Sequence, residues 1–408
     1  MSLYPFYIGG SSGTVFINER GEVTSFKPYF FVISRTKPPK VNYVTNIELE
    51  DYVPYVWDGL GFRERSDYGV YRIAVTAPSK VRYVRESYVK HGLLPSQSYI
   101  KFMLRYSIDK AFPTRTALLR VLSDVPNMLV TALGRKPRAL SIDVELRGGK
   151  PIIGYSLGDE VNYTTDPRDI KHLDFDVAVT YNGWGFDYRY LPMYRGPGYT
   201  RNGIETEHGV KPMMDLYVFT QSAFKAALGL SEEASKLYDV AIQLGVHNDL
   251  GISDTELLRW KKLQGMVEVI DMTTLRQYLA MDVRVTYAIA MRWLPTLQAL
   301  GAITGSNPMV INQVAETASA AHLVEALYHM YLMHNGYVIQ DRRREMDYEA
   351  GDKTRARSAG IFRKVAEYDF SAMYPSLTVQ DNVGPITIRE CEEGFPVRTS
   401  TGVRKVCF

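Results

Sequence analysis

Val365-Ala366-Glu367-Tyr368-Asp369-Phe370-Ser371-Ala372-Met373-Tyr374-Pro375-Ser376-Leu377 is the stretch on which the reading of this chain turns. Its apolar and aromatic residues predict a β-strand, and Pro375, which has no amide hydrogen to give a ladder, should end it. Asp369 would then stand at a strand end, where a carboxylate can hold a divalent cation against a phosphate group.

Three more acidic motifs precede it in order. Asp143-Val144-Glu145 lies in the apolar run from Ala139, read as a strand, so residues i and i+2 turn both carboxylates to one face. Asn182-Gly183-Trp184-Gly185-Phe186-Asp187 follows a second strand candidate, Val177-Ala178-Val179-Thr180-Tyr181. Tyr278-Leu279-Ala280-Met281-Asp282 falls within helical periodicity from about Met272 to Leu300, which puts Tyr278 and Asp282 one turn apart on one face. Taken singly, each motif is common by chance and reads more simply as a solvated carboxylate. Their order, each on an element that suits it, favours a shared role. Four clustered carboxylates cannot all stay ionised without counter-charge. Two divalent cations roughly 3.5–4 Å apart supply that charge and form a clamp for phosphodiester chemistry.

Composition bounds the alternatives. At 408 residues the chain predicts two or three domains, and its apolar fraction of 46% is that of a folded protein. A net charge of +3, from 48 basic and 45 acidic residues, excludes a histone-like binder, so nucleic-acid contacts would come from local patches. The N-terminus lacks a basic region followed by an apolar run, and no 18-residue apolar stretch occurs, so neither a signal peptide nor a membrane span is expected. Residues 1–135 alternate strand-like runs with turns such as Gly9–Gly13 and Asn18–Gly21, and Pro28–Ile33 reads as a buried strand. Gly301–Pro308 predicts a boundary, followed by a helix over Val314–Met333 ending near Asn335-Gly336. His322, His329 and His334 have spacings that do not stack them on adjacent turns, so surface or core roles are expected. Cys391 and Cys407 form no C-x-x-C pair.

The stretch around Asp369 resembles the first catalytic motif of family B DNA polymerases, D-x-x-S-L-Y-P-S. The three upstream motifs resemble those of the RNase H-like (DnaQ-like) 3′–5′ proofreading exonuclease. Phe26–Val32 and Leu104–Lys110 resemble segments of the archaeal branch. The resemblance covers essentially the whole chain and implies an α/β and α+β multidomain fold. Its parts would be an N-terminal mixed β/α domain (1–135), an exonuclease domain (136–305), a helical return to the N-terminal domain (306–345) and the start of a polymerase palm (346–408).

By this resemblance Asp143, Glu145, Asp187 and Asp282 hold two Mg²⁺ (or Mn²⁺) ions, and Tyr278 positions the attacking water. Asn182 and Phe186 touch DNA. Asp369 binds the metals of a second site, the backbone at Phe370 meets the triphosphate, and Tyr374 lies under the deoxyribose and excludes a 2′-hydroxyl. Ala372-Met373 replaces the family's Ser-Leu at packing positions. Tyr348-Glu349-Ala350-Gly351 resembles the Y-x-G-G linker, with Ala350 in place of its first glycine. The basic run Lys353, Arg355, Arg357, Arg363, Lys364, and likewise Arg342-Arg343-Arg344, reads either as phosphate contacts or as a solvated loop. Pro28 and Tyr29 match part of the pocket that senses template uracil in archaeal relatives; core packing is the other reading. Cys391 and Cys407 stand where some relatives carry a palm disulfide, two free thiols being the alternative.

A later D-T-D motif and the K-x₃-N-S-x-Y-G helix are absent from the sequence. The resulting expectation is the large subunit of a split polymerase, completed by a second polymerase polypeptide. Primer–template DNA and dNTPs would be its substrates, with a sliding clamp reached through the partner. A cytoplasmic, nucleoid-associated place follows. A stand-alone 3′–5′ exonuclease and a non-catalytic DNA-binding subunit with a vestigial palm are the alternatives.

Overall fold

The computed structural model describes residues 6–7, 15–17, 23–111, 137–194, 203–304, 320–341, 373–399 and 402–408, except 223, 232 and 385, with a few single residues between. Strands β1 (Phe6–Tyr7), β2 (Val15–Ile17) and β3 (Val23–Ser25) form an antiparallel meander. The turns expected to join them lie outside the described residues. Then come β4 (Tyr29–Ser34), β5 (Val44–Glu50), β6 (Val53–Trp57), β7 (Phe62–Glu64), β8 (Gly69–Val75) and β9 (Leu94–Ser96).

β4 is buried along its whole length at the centre of an antiparallel sheet ordered β5-β8-β4-β9. Tyr29, Phe31 and Ile33 pack on one face with Val56, Val70 and Leu94. Phe30 and Val32 pack on the other with Val84 and Tyr88 of the helix Val81–Lys90. An unbroken apolar run is what a strand covered on both faces requires.

Six strands form the second large sheet: β10 (Ala139–Arg147), β11 (Lys150–Ser156), β12 (Asn162–Thr164), β13 (Val177–Thr180), β14 (Gly203–Thr206) and β15 (Gly209–Asp215). Their order is β12-β11-β10-β13-β15-β14. β10 runs antiparallel to β11 and parallel to β13, and β13 runs parallel to β15. The helix Met272–Thr304 crosses β10 and β11. It approaches closely because β11 offers Gly154, where a Cβ would stand 2.7 Å from Leu279 Cγ and 3.2 Å from Val283 Cγ2. Ser141 Oγ also donates to the Val283 carbonyl at 2.8 Å. With Leu279 and Val283 on the sheet, Asp282 between them on the helix turns toward β10.

This helix continues through Gly301 to Thr304, into the segment expected to break it. Burial of Leu294 and Leu297 and a Thr304 Oγ1 bond to the Leu300 carbonyl at 2.8 Å hold the last turns. A helical glycine costs only about 1 kcal/mol, which tertiary packing overrides. The helix Ala320–His334 ends at Asn335 and Gly336, the latter in the left-handed region at φ 87°. There β16 (Tyr337–Ile339) returns the chain to the first part of the molecule, pairing in parallel with β6.

The strand expected around Asp369 lies outside the described residues. Pro375 does not close a strand: it occupies the first turn of the helix Met373–Gln380. β17 (Arg389–Thr399) and β18 (Gly402–Cys407) form a hairpin with a register shift between Glu390 and Phe395. Across it Cys391 and Cys407 are joined in a disulfide, so free thiols are excluded.

Candidate metal centre

The D-x-E pair sits on β10, the strand at the middle of the six-stranded sheet, where neighbours on both sides fix its backbone. Asp143, Glu145 and Asp282 each place one carboxylate oxygen within 4.8 Å of the others. Oδ2 of Asp143 is buried without a hydrogen-bond partner. Burial, then the charges of Asp187, Asp282 and Glu145, push the Asp143 carboxyl well above its ordinary value. Burial and the Asp282 charge raise Glu145 to about 7. Burial raises Asp282 to about 6, against hydrogen bonds from Tyr238 and Tyr278 that lower it. Mutual repulsion with an orphaned oxygen marks a carboxylate set that a cation would stabilise, and oxygen donors at this spacing suit a hard divalent cation.

Asp187 stands outside that set of three, though close enough for its charge to raise Asp143. It is buried and opens a short 3₁₀ helix, Asp187–Tyr190, with its carboxylate accepting from the Val144 amide. Burial, then the charges of Asp215 and Glu145, raise its pKa. The fold thus gathers three of the four acids tightly, with the fourth close enough to feel their charge.

Two residues of the site were not singled out by sequence. Asp215, at the C-terminal end of β15, is buried and accepts hydrogen bonds from the amides of Asn182 at 2.7 Å, Trp184 at 3.0 Å and Tyr217 at 3.0 Å. It thereby ties the turn that delivers Asp187. That turn needs Asn182 in the left-handed region at φ 63°, which asparagine tolerates better than most residues. The other is Tyr238, buried on the helix Leu237–Leu244, whose hydroxyl donates to Asp282 Oδ1. Tyr278 bonds the same carboxylate from one turn away. An apolar strand ending in an acid was a readable signal for Asp215; nothing local marks Tyr238.

Asn182 is exposed and Phe186 half-buried, its ring 5.3 Å from that of Tyr190. Pro28 and Tyr29 are both buried. The Tyr29 hydroxyl donates to Asp109 Oδ2 at 2.7 Å, and the guanidinium carbons of Arg72 and Arg105 lie 4.0 and 4.8 Å from its ring centre. Arg342–Arg344, Tyr348, Gly351, Lys353, Arg355, Arg357, Asp369 and Phe370 lie outside the described residues, and Tyr374 is placed only as part of its helix. Among the described residues no helix is long and apolar enough to cross a membrane.

A mixed α/β multidomain chain with a carboxylate centre on a central strand defines the class. Comparison with known proteins narrows it. No protein-family model matches the chain. DNA polymerase 2 of Aeropyrum pernix is 26% identical over 322 residues, covering 76% of this chain and 39% of that protein. DNA polymerase 1 of Pyrococcus abyssi is 22% identical over 400 residues, covering 82% of this chain and 47% of its own length. The chain therefore spans less than half the length of these curated relatives. Among solved structures, the family B DNA polymerase of Pyrobaculum calidifontis aligns with a TM-score of 0.55 at 19% identity, over 99% of this chain and 61% of that one. The chain is related in sequence to archaeal DNA polymerases and shares its fold with a family B DNA polymerase.

Proposed function

We propose that the centre formed by Asp143, Glu145, Asp187 and Asp282 is a two-metal 3′–5′ proofreading exonuclease carried by a family B DNA polymerase chain. The observation that carries this is the convergence of Asp143, Glu145 and Asp282 with the Asp143 Oδ2 left unpartnered. The strand order β12-β11-β10-β13-β15, antiparallel to one side of β10 and parallel to the other, supports an RNase H-like core. Divalent ions bound here would neutralise the acids and polarise both water and phosphate. The net reaction adds water to the terminal phosphorus and breaks its bond to the preceding 3′ oxygen. A nucleoside 5′-monophosphate leaves and a new 3′-hydroxyl remains. Asp143 and Glu145 hold their places through the sheet, and Tyr238 and Tyr278 orient Asp282 by hydrogen bonds.

The test is trimming of a primer–template with a mismatched 3′ end in Mg²⁺. The parent should shorten the primer, and Asp143→Ala should abolish it. Undiminished trimming by Asp143→Ala would sink the assignment.

The nucleotide-adding reading rests on the sequence from Val365 to Leu377 and on the relatives' names. Asp369 would bind metal, Phe370 would meet the triphosphate through its backbone, and Tyr374 would exclude ribonucleotides. DNA and dNTPs would be substrates, and the remaining palm carboxylates would come from outside these 408 residues. Ribonucleotide incorporation by Tyr374→Ala in the assembled polymerase checks this. Incorporation no higher than that of the parent would count against it.

A further inference from the structure

The hairpin that carries Asp143 and Glu145 ends in a basic tip. β10 and β11 pair in unbroken register from Ser141 opposite Ser156 to Arg147 opposite Lys150. Strand alternation therefore holds to the end, and Asp143, Glu145 and Arg147 share one face. It is the face turned to the long helix, as the Ser141 bond to the Val283 carbonyl shows. At about 3.3 Å per residue, Arg147 stands roughly 6.6 Å beyond Glu145, outward from the acids. Gly148 and Gly149 join the strands at φ 55° and 73°, the left-handed pair of a tight type I′ turn. Arg147 is half-buried there and Lys150 exposed.

Two features of this tip are unfavourable as they stand. Like charges directly opposite one another destabilise a strand pair. Nη1 of Arg147 is also buried without a hydrogen-bond partner, although a guanidinium nitrogen withdrawn from water calls for an acceptor. Glu268, which reaches the tip, accepts from the Gly148 amide at 3.3 Å and leaves that nitrogen unmet. An anion held between Arg147 and Lys150 would relieve both.

We propose that Arg147, with Lys150 opposite, binds a backbone phosphate of the strand being trimmed, the one next to the scissile phosphate on its 5′ side. This inference rests on the exonuclease reading. Four carboxylates balance the charge of two divalent ions and leave no surplus for a second phosphate. DNA drawn to an acidic centre therefore needs cations beside it, and a guanidinium offers parallel donors that match two phosphate oxygens. Arg147 brings that charge on the strand that already holds two of the acids, so the phosphate and the scissile bond keep a fixed spacing. Such a contact reads no base; it sets the register of the strand on the site.

Two measurements test it. The first titrates full-length Asp143→Ala protein in EDTA with fluorescently labelled oligo(dT) over a range of KCl and follows anisotropy. Losing one phosphate contact should flatten the dependence of log K on log salt by about 0.7, so Arg147→Ala in that background should bind more weakly and with the shallower slope. An unchanged slope overturns the proposal. The second follows release of the first nucleotide in Mg²⁺ from oligo(dT), and from the same oligonucleotide with an uncharged methylphosphonate at the linkage before the scissile one. Arg147→Ala should raise KM for the unmodified oligonucleotide about tenfold with a much smaller effect on kcat, and Arg147→Lys should recover part of the loss. The methylphosphonate should weaken the parent by a similar factor and Arg147→Ala almost not at all, because both changes remove one contact. Losses that multiply overturn the proposal and leave the nuclease reading standing. A merely structural Arg147 would instead lower the melting temperature of Arg147→Ala and leave the methylphosphonate effect undiminished. Absence of trimming by the parent overturns the nuclease reading, and the salt dependence then decides Arg147 on its own.

Discussion

Glu145→Gln should make the metal-free protein more stable, and only at neutral and alkaline pH. In the unfolded chain the Glu145 carboxyl loses its proton near 4.5; in the fold, burial and the Asp282 charge raise it to about 7. Between those values the folded state keeps a proton that the unfolded state has released, so stability falls as pH rises. The contribution of the protonated form is fully present below 4.5 and is lost as pH passes through about 7. The difference corresponds to about 3 kcal/mol. Burial raises Asp282 to about 6, and because its charge already enters the Glu145 shift the two rises are not simply additive. Glutamine keeps the shape of the side chain and removes the charge. In EDTA near pH 8 the variant should gain about 3 kcal/mol in urea unfolding, and near pH 4 almost nothing. Adding Mn²⁺ at the higher pH should reverse the order, because mass action stabilises the form that binds the ion. Equal stability of the two proteins near pH 8, or an equal gain at both pH values, would show that Glu145 does not sit among repelling acids.

Asp215→Ala should cost about 3 kcal/mol or more, since the three amides it now satisfies would be left without an acceptor. It should also slow trimming by releasing the turn before Asp187, whereas Asp215→Asn, which retains an acceptor oxygen, should be milder in both. Denaturant unfolding and primer trimming check this, and a fully active Asp215→Ala would refute it. Cys391→Ser opens a disulfide spanning 16 residues of sequence, which should weaken the β17–β18 hairpin by about 3 kcal/mol through loop-closure entropy. Hydrogen exchange in β17 and β18 should rise while trimming continues. Unchanged protection would show that the hairpin holds without the bridge.

The carboxylate cluster was legible because its parts follow local periodicities. Asp143 and Glu145 share a face by the strand period of two, and Tyr278 and Asp282 share one by the helical turn. Asp187 was found by its place just after a strand. What was missed depends on contacts distant in sequence. Tyr238 reaches Asp282 across 44 positions and Asp215 reaches the Asn182 amide across 33, and no spacing rule links such pairs. The helix end at Thr304 was missed for a related reason. Gly301 is a local signal, and the burial of Leu294 and Leu297 that overrides it is a tertiary one.

The two kinds of resemblance in this chain also differ in what they can carry. Tyr29 matched a position known for ligand sensing, yet here its hydroxyl serves Asp109 and its ring lies between Arg72 and Arg105. A buried tyrosine with a hydrogen-bond partner is stable in any core, so its presence at a matching position constrains function weakly. Clustered carboxylates are the opposite case. Each of Asp143, Glu145, Asp187 and Asp282 has its proton affinity raised by burial, and Asp143 keeps an oxygen with no donor at all. Such an arrangement costs folding free energy at neutral pH, and packing alone gives nothing in return. A counter-ion bound in use offsets that cost. That asymmetry is why three short acidic motifs constrain the chemistry of this chain more than an aromatic strand does.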